Sequence, residues 1–117
     1  FLGHLHEMMG DRLACQIDAK AVPVLPGAWE AAEGFLYTAA GQRNRNHTGP
    51  FVQFEKVPFA MEEILFDPQT SGGLLLAAAP QDAAALEAEL QAAGLPAAIV
   101  GEIRKKDENM TEIAVTY

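Results

Sequence analysis

The richest chemistry in the chain lies between Asp67 and Gly73, where the residues read Asp-Pro-Gln-Thr-Ser-Gly-Gly. One carboxylate, one amide and two hydroxyls stand beside two glycines, which let a ligand approach the backbone closely. Consecutive amides around glycines can form an anion-binding concavity. The competing reading is a connecting turn whose polar groups satisfy their own backbone. A Walker A loop is excluded, because its lysine is missing. Asp67, Gln69, Thr70, Ser71, Gly72 and Gly73 are the first candidate ligand-facing residues.

A second candidate is Arg43-Asn44-Arg45-Asn46. It sits in a polar stretch, Gly41 to Pro50, that reads as the richest turn segment of the chain. Guanidinium groups in such a loop can bind phosphate or a carboxylate in forked geometry. A solvated loop paired with nearby acidic side chains is the alternative. Arg43, Asn44 and Arg45 join the candidate binding residues on the first reading.

Other reactive types are read as inert. His4 and His6 are two apart, so on a helix they do not share a face and cannot ligate one ion there. Neither they nor His47 has a Cys/His cluster to complete a metal site. Cys15 is in phase with Leu13 and Ile17, as a small buried hydrophobe would be. Glu62 with Glu63, and Glu87 with Glu89, read as solvated helix faces, and Trp29 as a core or interface anchor. No catalytic residue and no metal ligand is expected in this chain.

The elements that must position these groups follow from periodicity. Phe1, Leu2, Leu5, Met8 and Met9 recur at helical spacing before Gly10. Leu13 to Asp18 alternates as a half-buried strand. Pro26 opens a short helix closed by Gly34, Phe51 to Phe54 is extended, and Pro58 starts a helix over Phe59 to Phe66. Pro68 disfavours helix at Asp67. Leu74 to Ala79 then reads as a fully apolar strand. Gln81 to Ala93 reads as a helix with Ala83, Leu86, Leu90 and Ala93 as its buried stripe, ended by Gly94. Ala98 to Ile103 and Thr111 to Thr116 read as strands joined in a hairpin. A strand-helix-strand unit prefers a parallel crossover, so the expected fold is α+β, a mixed sheet with helices packed on it.

The composition narrows the partners. With 117 residues the chain fits one domain, 1–117. A net charge of −8, with only 8 Lys and Arg, argues against nucleic acid and against an anionic membrane surface. A single cysteine excludes an intramolecular disulfide and suits a reducing, cytoplasmic setting. No apolar run approaches the length of a membrane span. The chain opens at Phe1, inside a helical pattern, and is expected to be a fragment of a longer polypeptide.

At Asp67 to Leu75 the order Asp-Pro-Gln-Thr-Ser-Gly-Gly-Leu-Leu resembles the C-terminal signature of selenophosphate synthetases (selenide, water dikinases). Other pieces follow in the family's order. Leu2-Gly3-His4-Leu5 resembles the end of its Thr-Gly-Phe-Gly-Leu-Leu-Gly-His segment. Ile17-Asp18 with Val22-Pro23 resembles the next strand and turn, and Arg43-Asn44-Arg45 its Arg-Asn-Arg loop. The family is grouped with aminoimidazole ribonucleotide synthetase. The resemblance implies two α+β domains with ATP between them, of which this chain is the C-terminal one, truncated at its N-terminus and lacking the N-terminal ATP- and metal-binding domain. It implies a homodimer built mainly by N-terminal domains, and selenide, ATP and water giving selenophosphate, AMP and phosphate with magnesium.

Departures matter as much. The family's reactive Cys or selenocysteine, its essential Lys, its glycine-rich segment and most metal-binding Asp residues match nothing here and are expected upstream of Phe1. Cys15 is not the counterpart of that nucleophile. Residues 67–73 and 43–46 are expected to face the interdomain cleft. The isolated chain is expected to be inactive, to hold no tightly bound cofactor and to self-associate. A stand-alone small-ligand-binding or regulatory module, and an interaction domain, are the alternatives.

Overall fold

The computed structural model describes all 117 residues. In chain order it has α1 (Leu2–Met9), β1 (Leu13–Asp18), α2 (Ala28–Glu33), α3 (Ala39–Thr48), β2 (Val52–Glu55), α4 (Phe59–Phe66), α5 (Pro80–Ala92), β3 (Gly101–Lys105) and β4 (Ile113–Thr116). The four strands form one mixed sheet in the order β2-β4-β1-β3. β4 runs parallel to both β1 and β2, and β3 runs antiparallel to β1. The expected α+β class is therefore observed. No helix is long and apolar enough to cross a membrane.

One face of the sheet meets the helices. α1 contributes Leu2, Leu5 and Met9, at the i, i+3, i+7 spacing of a single helical face. α4 contributes Met61, Leu65 and Phe66, while Cys15 and Ile17 of β1 and Ile113 and Val115 of β4 supply the floor. Each such large side chain, fully buried, contributes about 1.5–3 kcal/mol relative to exposure. Gly10 ends α1 at φ 56°, where a side chain would be strained. Gly101 is needed for a different reason. A methyl group there would overlap the Gln16 carbonyl oxygen and sit 2.9 Å from Ile17 Cδ1.

Four expectations are corrected. Gly41 to Pro50 is not a loop: α3 occupies most of it, with Thr38 as N-cap. Its inward face is polar, so no apolar stripe announced it. Ala98–Ile103 and Thr111–Thr116 do not pair as a hairpin, because β1 lies between β3 and β4 and uses both its edges. Leu74 to Ala79 is extended but unpaired, so the parallel strand-helix-strand unit does not form. A strand needs a ladder partner as well as β propensity. The helix expected from Gln81 is present as α5, yet its stripe is not covered: none of its residues is buried. No buried residue falls between 67 and 111.

Candidate functional site

The two candidate clusters meet where α3 packs on α4. Thr38 caps the start of α3 by accepting from the Gly41 amide, 2.9 Å. Its hydroxyl also donates to Asp67 Oδ1, 2.8 Å, at the last turn of α4. A carboxylate is thereby held at a helix N-terminus, where the dipole favours negative charge. Gly41 permits this contact: a Cβ there would lie 3.3 Å from Thr38 Oγ1 and 3.6 Å from Asp67 Cα.

Beyond Asp67 the loop is open. Gln69, Thr70, Ser71, Gly72 and Gly73 are exposed, and Pro68 is half-buried at the loop's start. Gly72 and Gly73 adopt φ 149° and 74°, a turn that glycine accommodates. Nothing lies within 4 Å of a Cβ placed at Gly72. The backbone amides from Gln69 to Gly73 donate to no group of the protein, so they are available to an anion.

The arginine cluster is different from its expectation. Arg45 Nη1 donates to Glu62 Oε2, 2.9 Å, and Nη2 lies 2.6 Å from Glu63 Oε1. Its guanidinium also lies over Phe59 and Phe66, 5.3 and 4.7 Å from the ring centroids. Planar stacking combined with carboxylate pairing is what a guanidinium does well. Asn44 Nδ2 donates to the Phe66 carbonyl, 2.9 Å, and so satisfies one of the orphan carbonyls at the end of α4. Arg45 and Asn44 thus join α3 to α4. Arg43 is exposed and free of ion pairs.

Glu63 corrects the reading of a solvated face. It is buried, accepting from Gln42 Nε2, 2.5 Å, and paired with Arg45. A buried carboxylate needs such partners. Thr38, Gln42 and Glu63 were the residues that sequence reasoning missed. Thr38 carried a usable signal, since Thr before Ala39-Ala40 is an N-cap pattern.

The remaining reactive groups are held in structural contacts. His4 pairs with Glu7 on the surface. His6 meets the buried carboxylate of Glu112 and stacks on Phe51, ring centroids 4.2 Å apart. Lys106 approaches Glu112 from the other side, 3.4 Å. No group of three His, Cys, Asp or Glu side chains converges as a metal site. Burial pushes the Cys15 thiol up to about 11, with the charge of Glu112 adding to it. That suppresses the thiolate a nucleophile requires.

The family model for "AIR synthase related protein, C-terminal domain" matches residues 1–112. The chain belongs to that family. Among its relatives, "Selenide, water dikinase" of Agathobacter rectalis is 56% identical over 107 residues, covering 91% of this chain and 31% of that protein. The protein of the same name from Treponema denticola is 42% identical, covering 97% and 34%. That of Desulfitobacterium hafniense strain Y51 is 45% identical, covering 87% and 30%. This AIR synthase-related domain spans about a third of the length of these curated relatives.

Proposed function

We propose that the chain acts as the C-terminal part of an ATP-dependent selenophosphate synthetase. The parent reaction is selenide, ATP and water giving selenophosphate, AMP and phosphate, in the cytoplasm. The observation that carries this reading is the 56% identity across 91% of the chain to a protein named selenide, water dikinase. The isolated chain is inactive on this reading: Cys15 is buried with a raised pKa, and the residues of the open loop include no nucleophile with an adjacent base.

The loop supports a binding role. Free amides from Gln69 to Gly73, the open space at Gly72 and the hydroxyls of Thr70 and Ser71 fit the phosphate end of a nucleotide. Arg43 is the cation free to join them, since Arg45 and Asn44 are committed within the fold. Magnesium fits less well. It takes near-octahedral oxygen coordination, and the loop brings one carboxylate, Asp67, which already accepts from Thr38. The chain by itself does not assemble that ion's site. In the parent, Asp67 and Thr38 hold the loop's entry in place while charge neutralisation comes from elsewhere.

A chimera tests the reading. Residues 1–117 would replace the matching third of the Agathobacter rectalis enzyme, and selenide-dependent AMP formation would be measured. Activity within about tenfold of the parent, a barrier change of about 1.4 kcal/mol, is expected. A folded chimera with no selenide-dependent AMP formation refutes it, as does turnover by the isolated chain.

A stand-alone ligand-binding role has one observation in its favour. An apolar cleft lined by Trp29, Ala32, Phe35, Pro58 and Phe59 opens between α2 and α4. Trp29 is the chain's single tryptophan, so quenching of its fluorescence by a small apolar ligand would report that binding.

A further inference from the structure

We propose that the cleft between α2 and α4 binds a small organic ammonium ion, held among aromatic rings with a carboxylate at the rim. This deepens the ligand-binding role of the cleft and is independent of the enzymatic reading.

The cavity lies between elements that pack directly on each other. α2 and α4 are in contact, and the space they enclose has a volume of about 390 Å³. Small-molecule sites occupy about 300–1,000 Å³. Ala32 and Ala60 line it and are buried. Trp29, Phe35 and Phe59 wall it, and Glu33 is the one charged residue among its lining. Tyr37 braces two of the walls: its ring meets those of Phe35 and Phe59 edge-on, with centroids 6.1 and 6.2 Å away. Trp29 stacks on Tyr117, 6.4 Å between centroids.

Phe35 is held there at a cost. α2 ends in a Schellman motif, in which the Phe35 amide donates to the Ala32 carbonyl, 3.1 Å, and the Leu36 amide to that of Ala31, 2.9 Å. The left-handed residue of the motif is Phe35, at φ 61°, a place that glycine ordinarily takes. Gly34, immediately before it, has φ −78°. A bulky residue is strained in that conformation. Phe35 is also 73% exposed, so burial does not offset the strain. Backbone strain of this kind clusters where a side chain serves a ligand, and here it sets a ring against the cavity.

Charge decides the class of ligand. Aromatic faces carry negative potential and attract cations. α2 holds Glu30 and Glu33 and no cation, and Glu33 forms no ion pair within the chain. On α4, Glu62 and Glu63 both pair with Arg45. The guanidinium over Phe59 therefore brings no net positive charge to the cleft. An anion would meet a field of carboxylates. An alkylated ammonium ion gains from the rings, from the apolar walls and from Glu33 together.

Trp29 is the chain's single tryptophan, so its fluorescence reads this cleft alone. Choline and its neutral isostere 3,3-dimethylbutan-1-ol would be titrated into the 117-residue chain at constant ionic strength. Choline should saturate the signal with a Kd of about 1 mM, and the alcohol should bind at least about tenfold more weakly. Glu33→Gln should weaken choline about fivefold and leave the alcohol unchanged. Phe35→Gly should weaken choline about tenfold while Tm holds or rises, because glycine releases the backbone strain. No saturation by choline up to about 50 mM overturns the proposal. So does a Phe35→Gly chain that melts lower and binds choline as before. Equal affinity for the alcohol also overturns it, while leaving the cleft a site for neutral ligands. A trimethyllysine peptide that binds more than about tenfold tighter than choline would assign the cleft to a protein partner and overturn it too. None of these outcomes bears on selenide-dependent turnover.

Discussion

Replacing Arg45 by Met separates a structural arginine from a ligand-binding one. The Arg45 side chain is 27% exposed and its partner Glu63 only 3%. The substitution keeps an unbranched apolar side chain but removes the charge and the guanidinium that lies over Phe59 and Phe66. Glu63 then stays buried with Gln42 as its remaining partner. Breaking a buried pair from one side costs about 3–5 kcal/mol. Partial exposure of the guanidinium argues for the lower end, about 3 kcal/mol. For 117 residues the unfolding entropy is about 0.25 kcal/mol/K, so Tm should fall by about 12 °C. Differential scanning calorimetry of Arg45→Met, Glu63→Gln and the double variant reads this directly. The cycle should show a coupling of about 1–3 kcal/mol, because Glu63→Gln removes the uncompensated charge. If Arg45→Met melts within about 2 °C of the parent chain, or if the two changes add without coupling, the structural role fails. Arg45 would then return to the ligand-binding candidates.

Two further outcomes are expected. Gly101→Val should break the pairing of β3 with β1, since its side chain would overlap the Gln16 carbonyl; a loss of at least about 3 kcal/mol and faster amide exchange at Gln16 and Asp18 are expected, and an unshifted Tm would refute it. Cys15 links stability to pH. Its folded pKa of about 11 lies above the ordinary value of 9.0, so the unfolded chain loses this proton first. Stability from this group is complete below about pH 9 and declines as pH rises towards 11, by about 3 kcal/mol in all. Urea melts of the parent chain and Cys15→Ala at pH 8 and 10.5 check it; equal pH slopes for both would refute the assignment.

The helices α1 and α4 and the strand β1 were legible because their buried faces are apolar and periodic. α3 was not, since its contacts run through Gln42, Asn44, Arg45 and Thr48, residue types that signal a loop when no partner is in view. Pairing of Arg45 with Glu62 and Glu63 could not be read from a spacing of 17 and 18 residues across two elements. The open loop from Gln69 to Gly73 was legible as a break, because Pro68 and two glycines act locally.

Sequence alone determined the mixed α+β class, the apolar faces that build the core, and the presence of a glycine-bearing loop after α4. These rest on local rules: periodicity, capping and the restricted backbone of proline and glycine. Only the tertiary structure decided which strands neighbour β1, that Arg43 rather than Arg45 is free, and that Leu74–Ala79 has no partner within the chain. Those outcomes depend on which surfaces meet at long range, and a residue's type states what it needs without naming who supplies it.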